Sequence, residues 1–238
     1  MATQATATDR FVTVNGLRIR YLDWGNAGAQ PIVMLHGLRS FAHDWDIVST
    51  ELCDRYHVLA LDQRGRGDSA WDPKGNYFTE AYVSDLEQFV DQLGLDRFIL
   101  MGHSMGGANT IVYTSRHPEK VAAAVIEDMG PRSSSPSEGM MRIARELENT
   151  PQEFASWAKA EAFWREQRPR ISQEAMKVRL ENTLKQLPNG KITWKYDIQG
   201  IAKARASTDP SRQVDLWPHV RKLQCPTLVL RGALSDIL

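Results

Sequence analysis

The stretch Gly102-His103-Ser104-Met105-Gly106 follows the apolar run Phe98-Ile99-Leu100-Met101 and opens a segment of helical period over 104–116, so the chain has to turn from strand to helix within about one residue. A serine on so sharp a bend takes strained backbone angles, needs small neighbours where the chain doubles back, and has its hydroxyl lifted above the sheet. The G-x-S-x-G string alone is weak, because glycine and serine are common in loops. Its place between an apolar run and a helix makes Ser104 a candidate nucleophile.

The rest of the chain repeats that alternation. Short apolar or β-branched runs at 11–14, 17–23, 32–35, 58–61, 98–101, 122–126 and 227–230 read as strands, and 42–52, 79–93 and 104–116 carry helical period. The pattern predicts an α/β fold with a mostly parallel sheet and helices on both faces. Asn15-Gly16 joins the first two strands as a hairpin, since that dipeptide tolerates positive φ at both turn positions. From 131 to 212 the alternation stops, and charged, aromatic and helix-forming residues predominate without a convincing strand. The expectation is a core of 1–130 and 213–238 carrying a helical cap of 131–212.

The 238 residues suffice for one large domain, and 42% hydrophobic with 24% charged content is ordinary for a globular enzyme. Lysine plus arginine and aspartate plus glutamate both number 29, leaving no positive excess to attract nucleic acid or an anionic membrane. The expected partner is a small molecule, with oligomeric state undetermined. Cys53 and Cys225 form no ligand cluster and read as buried thiols of a reducing compartment, a disulfide between them remaining open. The first ten residues lack the apolar core of a signal peptide, and a cytoplasmic location is expected. No dinucleotide, phosphate-loop or metal-spacing motif is present, so neither cofactor nor metal is expected.

In order along the chain stand His36-Gly37, Asp62-Gln63-Arg64-Gly65-Arg66-Gly67-Asp68-Ser69, the bend at Ser104, and Arg231-Gly232-Ala233-Leu234-Ser235-Asp236. Together these landmarks resemble the α/β-hydrolase superfamily, and most closely its esterase, enol-lactonase and carbon-carbon hydrolase members. The resemblance implies an active site at the C-terminal ends of the strands and a serine hydrolase acting on an ester or lactone through an acyl-enzyme. A cofactor-free carbon-carbon hydrolase or lyase, a perhydrolase, or a non-catalytic binding module are the alternatives. The oxyanion formed on attack needs fixed donors. The elbow arrangement supplies the amide after the nucleophile, Met105, and one from the loop after the third strand, here Leu38. Gly37 would let that loop approach the substrate, and His36 is expected to hold the loop by hydrogen bonds. The triad acid follows a late strand: Asp236 fits the family order, and Asp128 is the rival.

The family's histidine would lie downstream of the acid, whereas this sequence ends at Leu238. The expectation is therefore that the last strand and helix are missing from the chain, with two readings open: a separate or clipped C-terminal fragment completes the fold and supplies the base, or the chain is a truncated product that folds incompletely or is inactive. His36, His57, His103, His117 and His219 each read as structural, with His103 directed away from Ser104; His43 alone could approach the pocket. The cap aromatics Trp157, Phe163 and Trp164 could line an apolar pocket or form the cap's own core. Arg64, Arg66, Arg132 and Trp45 could reach substrate, though Arg64 and Arg66 are equally suited to bracing their loop. The expected substrate is small to medium and largely apolar.

Overall fold

The computed structural model describes residues 6–131, 138–209 and 212–236. In chain order the strands are β1 (Thr8–Val14), β2 (Leu17–Asp23), β3 (Gln30–Leu35), β4 (Tyr56–Leu61), β5 (Phe98–His103), β6 (Val121–Glu127), β7 (Glu153–Phe154), β8 (Leu184–Gln186), β9 (Ile192–Trp194) and β10 (Thr227–Leu230). The helices are α1 (Asp46–Leu52), α2 (Thr79–Gln92), α3 (Met105–Arg116), α4 (Glu138–Glu148), α5 (Trp157–Gln167), α6 (Gln173–Thr183), α7 (Ile198–Arg205) and α8 (Trp217–Val220), and a 3-10 turn, Ala42–Trp45, leads into α1.

Seven strands form one sheet in the order β1-β2-β4-β3-β5-β6-β10. The pairs β1–β2 and β2–β4 are antiparallel, and all others are parallel. Asn15 and Gly16 close the β1–β2 hairpin with φ of 48° and 75°. The central strands bury both faces, as parallel strands between helical layers must. Val33, Leu35, Leu59 and Leu61 pack against Val83, Leu86 and Phe89 of α2 and Ile111 and Val112 of α3. The alternate residues Ile32, Met34, Val58 and Ala60 face Ala42, Trp45 and Cys53 on the other side. At the edge, β10 pairs with β6 and leaves Leu228, Val229 and Leu230 exposed.

The cap departs from an all-helical insertion. Besides α4 to α7 it holds a small antiparallel sheet, β7-β9-β8, whose strands of two or three residues are too short to show alternation in sequence. Around Trp194 the rings of Phe154, Phe163, Trp164 and Tyr196 lie with centroids 4.8 to 6.0 Å away. That cluster is the cap's own core. It continues into the sheet domain through Tyr77 and Tyr82, and the Tyr77 hydroxyl donates to Asp197 Oδ2 at 2.7 Å.

The loop after β4 is organised by one buried carboxylate. Asp62 accepts from Arg20 Nη1 at 2.9 Å, from the Ala42 amide at 2.7 Å and from the Asp68 amide at 3.1 Å. Gly67 has φ of 54°, and a Cβ there would collide with the Asp62 carboxyl group. Arg64, in turn, is held by Asp72 and Asp85. Removing the Asp62 charge would leave the buried Arg20 guanidinium with His43 and the carboxylates of the exposed Asp9 and Asp68, the latter at 3.9 Å. Asp62→Asn should therefore lower the unfolding free energy by about 3 kcal/mol or more, measured by urea denaturation; a loss below about 1 kcal/mol would show that Asp62 does not hold this corner.

Candidate active site

Ser104 sits between β5 and α3 with φ 50° and ψ −115°, a left-handed conformation that costs a non-glycine residue of order 1–3 kcal/mol. Its amide donates to the Glu127 carbonyl at 2.8 Å, which ties the bend to the end of β6. The two flanking glycines are required by contact. A Cβ on Gly102 would strike the Gly106 backbone and the Thr110 hydroxyl, and one on Gly106 would strike the Leu35 carbonyl.

Beside the bend lies the loop that follows β3. The Gln63 amide donates to His36 Nε2 at 3.0 Å, so Nε2 is the unprotonated nitrogen, and Nδ1 donates to the Gly37 carbonyl at 2.7 Å. Burial and the neighbouring Arg66 cation push the imidazole down to about 3, which keeps it neutral. With the Gly37 carbonyl turned to His36, planarity of the trans peptide directs the Leu38 N–H the opposite way. Arg66 Nε fixes the next peptide by donating to the Leu38 carbonyl at 3.0 Å. Gln63 closes the network: its amide group donates to the His36 carbonyl, and its Oε1 accepts from Asn109 of α3. Neither the Leu38 nor the Met105 N–H has an acceptor among the described residues.

A cavity of about 440 Å³ opens over Ser104, between this loop and the cap. It brings together Gly37, Leu38, Trp45, Ser104 and Trp164 of the expected site. Met105 does not line it; the Met105 sulfur lies 3.5 Å from Arg66 Nη2. Trp157 is 40% exposed at the start of α5, and Phe163 packs inside the cap, so neither forms the wall. Arg132 lies outside the described residues. His103 was expected to point away from Ser104, yet it lines the cavity beside it. Gly37 makes the room: a Cβ there would come within 2.8 Å of His103 Nδ1. The wall is also more polar than an apolar substrate requires, since Arg39, Arg142, Arg168 and Arg179 all contribute to it.

The two candidate acids differ in surroundings. Asp128, one residue past β6, has φ of 51° and donates its amide to the Leu230 carbonyl. Its Oδ2 accepts from the Ser235 hydroxyl at 2.9 Å, whereas Oδ1 is buried with no hydrogen-bond partner. Asp236 is exposed and bound by Arg142 at 3.0 and 3.2 Å, and that guanidinium holds its carboxyl below the usual carboxylate range. No histidine is hydrogen-bonded to Ser104. His43 sits between Arg20 and Asp46, His57 meets Asp23, His117 meets Glu87, and His219 meets Ser115 near the far end of α3. Among the described residues, no three histidine, cysteine, aspartate or glutamate side chains converge as a metal-binding group, and no helix is long and apolar enough to cross a membrane. The thiols of Cys53 and Cys225 are both free, the first buried and the second half-buried.

Residues 30–225 match the family described as alpha/beta hydrolase fold. The chain belongs to this family. An alpha/beta hydrolase from Novosphingobium aromaticivorans is similar in structure, with TM-score 0.83 and 32% identity over 99% of this chain and 85% of that one. A 2-(acetamidomethylene)succinate hydrolase of Mesorhizobium japonicum is 26% identical over 89% of this chain and 73% of its own length. An N-formylmaleamate deformylase of Pseudomonas putida is 39% identical over 40% of this chain and 35% of its own.

Sequence reasoning missed two things in this hydrolase. Gln63 and Asn109 clamp the loop after β3 to the helix that begins at the bend, and no spacing rule marks such a pair. The cap arginines lie on short helices scattered over 142–179, and only folding converges them. His36 supplies the test of the loop. Because its folded pKa lies below the unfolded value of about 6.5, the unfolded chain binds the extra proton, and stability falls as pH drops from about 6.5 towards 3. A histidine NMR titration should show His36 neutral at pH 5; a midpoint near 6.5 would mean the ring is not enclosed as described.

Proposed function

We propose that this hydrolase cleaves a small to medium carboxylic ester or lactone through an acyl-enzyme on Ser104. The observation that carries the reading is a hydroxyl on a left-handed bend in a cavity that Leu38 also lines, with the Leu38 amide and that of Met105, the next residue after the bend, left without acceptors among the described residues. Ser104 Oγ adds to the substrate carbonyl, and the charge developing on oxygen is met by the Leu38 and Met105 N–H groups. Each such donor is worth roughly 2.7–4 kcal/mol of barrier. Collapse expels the alcohol and leaves an ester on Ser104, which water then hydrolyses. Relatives named as a hydrolase and a deformylase support bond hydrolysis as the reaction type.

Proton transfer from Ser104 needs a base, and none of the six histidines here is in place. We assign the orienting carboxylate to Asp128 in preference to Asp236. Asp128 follows the strand beside the bend and keeps a buried Oδ1 unpaired, the acceptor that an imidazole N–H would use, while Asp236 is occupied by Arg142. A companion segment delivering that imidazole fits this reading. With p-nitrophenyl butyrate as substrate and the imidazole-bearing segment present, Ser104→Ala should abolish turnover, Asp128→Asn should cut kcat by about 10²–10⁴, and Asp236→Asn should stay within about threefold. A large loss in Asp236→Asn with a small one in Asp128→Asn would reverse the assignment of the acid, and turnover surviving Ser104→Ala would overturn the mechanism.

A further inference from the structure

The charges on the cavity wall are not matched. Four arginines face three carboxylates, Asp44, Glu127 and Glu146. Glu146 serves two of the cations, Arg39 at 2.8 Å and Arg142 at 2.9 Å, and Asp44 pairs with Arg179 at 3.1 Å. Arg39 and Arg179 also stack on Trp164, 5.3 and 4.9 Å from its ring centre. Arg168, at the C-terminal end of α5, makes no side-chain hydrogen bond or ion pair among the described residues. Arg168 is an exposed residue on the cavity wall. Partial desolvation and the like charge of Arg179 hold the guanidinium below its ordinary range, Arg39 adding to this and the carboxylates of Asp44 and Glu146 opposing it. The nearby carboxylates Asp44 and Glu146 are committed to Arg179, Arg39 and Arg142, so Arg168 keeps its donors for an incoming anion, and a guanidinium binds a carboxylate through two parallel hydrogen bonds. The remaining carboxylate, Glu127, ends β6 next to the bend and would repel a second negative group there.

Building on the hydrolytic reading, we propose that the substrate carries a free carboxylate, which Arg168 binds on the cap side of the cavity while the scissile carbonyl lies at Ser104. The cap then selects the substrate, and the sheet domain does the chemistry. The unpaired cation fixes which way round the molecule enters.

The test has a binding arm and a kinetic arm. Calorimetry with succinate should show binding that weakens tenfold or more in Arg168→Gln and is partly kept in Arg168→Lys, at unchanged melting temperature, while neutral succinamide binds none of them. In the kinetic arm, monomethyl succinate should be hydrolysed with kcat/KM at least tenfold above dimethyl succinate. Arg168→Gln should erase that preference through KM and leave the dimethyl ester within about threefold. Absence of succinate binding, or equal binding by Arg168→Gln, overturns the proposal. Equal hydrolysis of both esters does the same and leaves the Ser104 mechanism standing. Arg168-dependent succinate binding with neither ester cleaved sustains the proposal and defeats the ester reading instead.

Discussion

The site depends on a single residue held where side chains rarely go. Ser104 keeps a left-handed backbone because Gly102 and Gly106 let β5, α3 and the end of β3 come into direct backbone contact around it. The strain of order 1–3 kcal/mol is offset by the surrounding structure, including the hydrogen bond from the Ser104 amide to the Glu127 carbonyl and the buried face of α3 against the sheet. A relaxed bend at this position would lower the hydroxyl back towards the sheet. The cavity would then lose its serine hydroxyl.

Two buried polar groups keep the facing loop in register with that bend, and they do so with opposite electrostatics. His36 is neutral and fixes a peptide plane, so that the Leu38 N–H is turned outward without a charge being buried near it. Asp62 is enclosed by an arginine and two backbone amides and fixes the following loop, from which Arg66 reaches the Leu38 carbonyl. The cap rests on the same loop: the Asp197 amide donates to the Gly65 carbonyl, and Tyr77 joins Asp197 to the cap's aromatic cluster. The orientation of the Leu38 peptide and the position of the cap are thus coupled through residues 62–67.

The sheet domain was legible because its signals are local. Runs such as Phe98-Ile99-Leu100-Met101, the Asn15-Gly16 turn and the glycines around Ser104 each state a backbone requirement within a few residues. Strand edges were less clear: β1 begins at Thr8 and β4 at Tyr56, where polar or aromatic residues extend a ladder that an apolar count leaves out. The cap strands escaped because β7 and β9 are two and three residues long, and their stability comes from Trp194 packing rather than from pattern. Trp45 and Trp164 line the cavity, Trp164 belonging to the cap's core as well, whereas Trp157 and Phe163 do not line it. The contrast between Asp128 and Asp236 was beyond a linear reading. It rests on which carboxylate an arginine from α4 captures: Arg142 is near Asp128 in sequence yet pairs with Asp236, 94 residues away.

The central claim is that Ser104 acts as a nucleophile facing the Leu38 and Met105 amides. The most direct measurement is a crystal structure of the protein treated with a p-nitrophenyl alkylphosphonate. The account predicts phosphorus bonded to Ser104 Oγ and a phosphonyl oxygen about 2.7–3.1 Å from both amide nitrogens. A phosphonate attached to another residue, or one on Ser104 with its oxygen turned away from those amides, would contradict it.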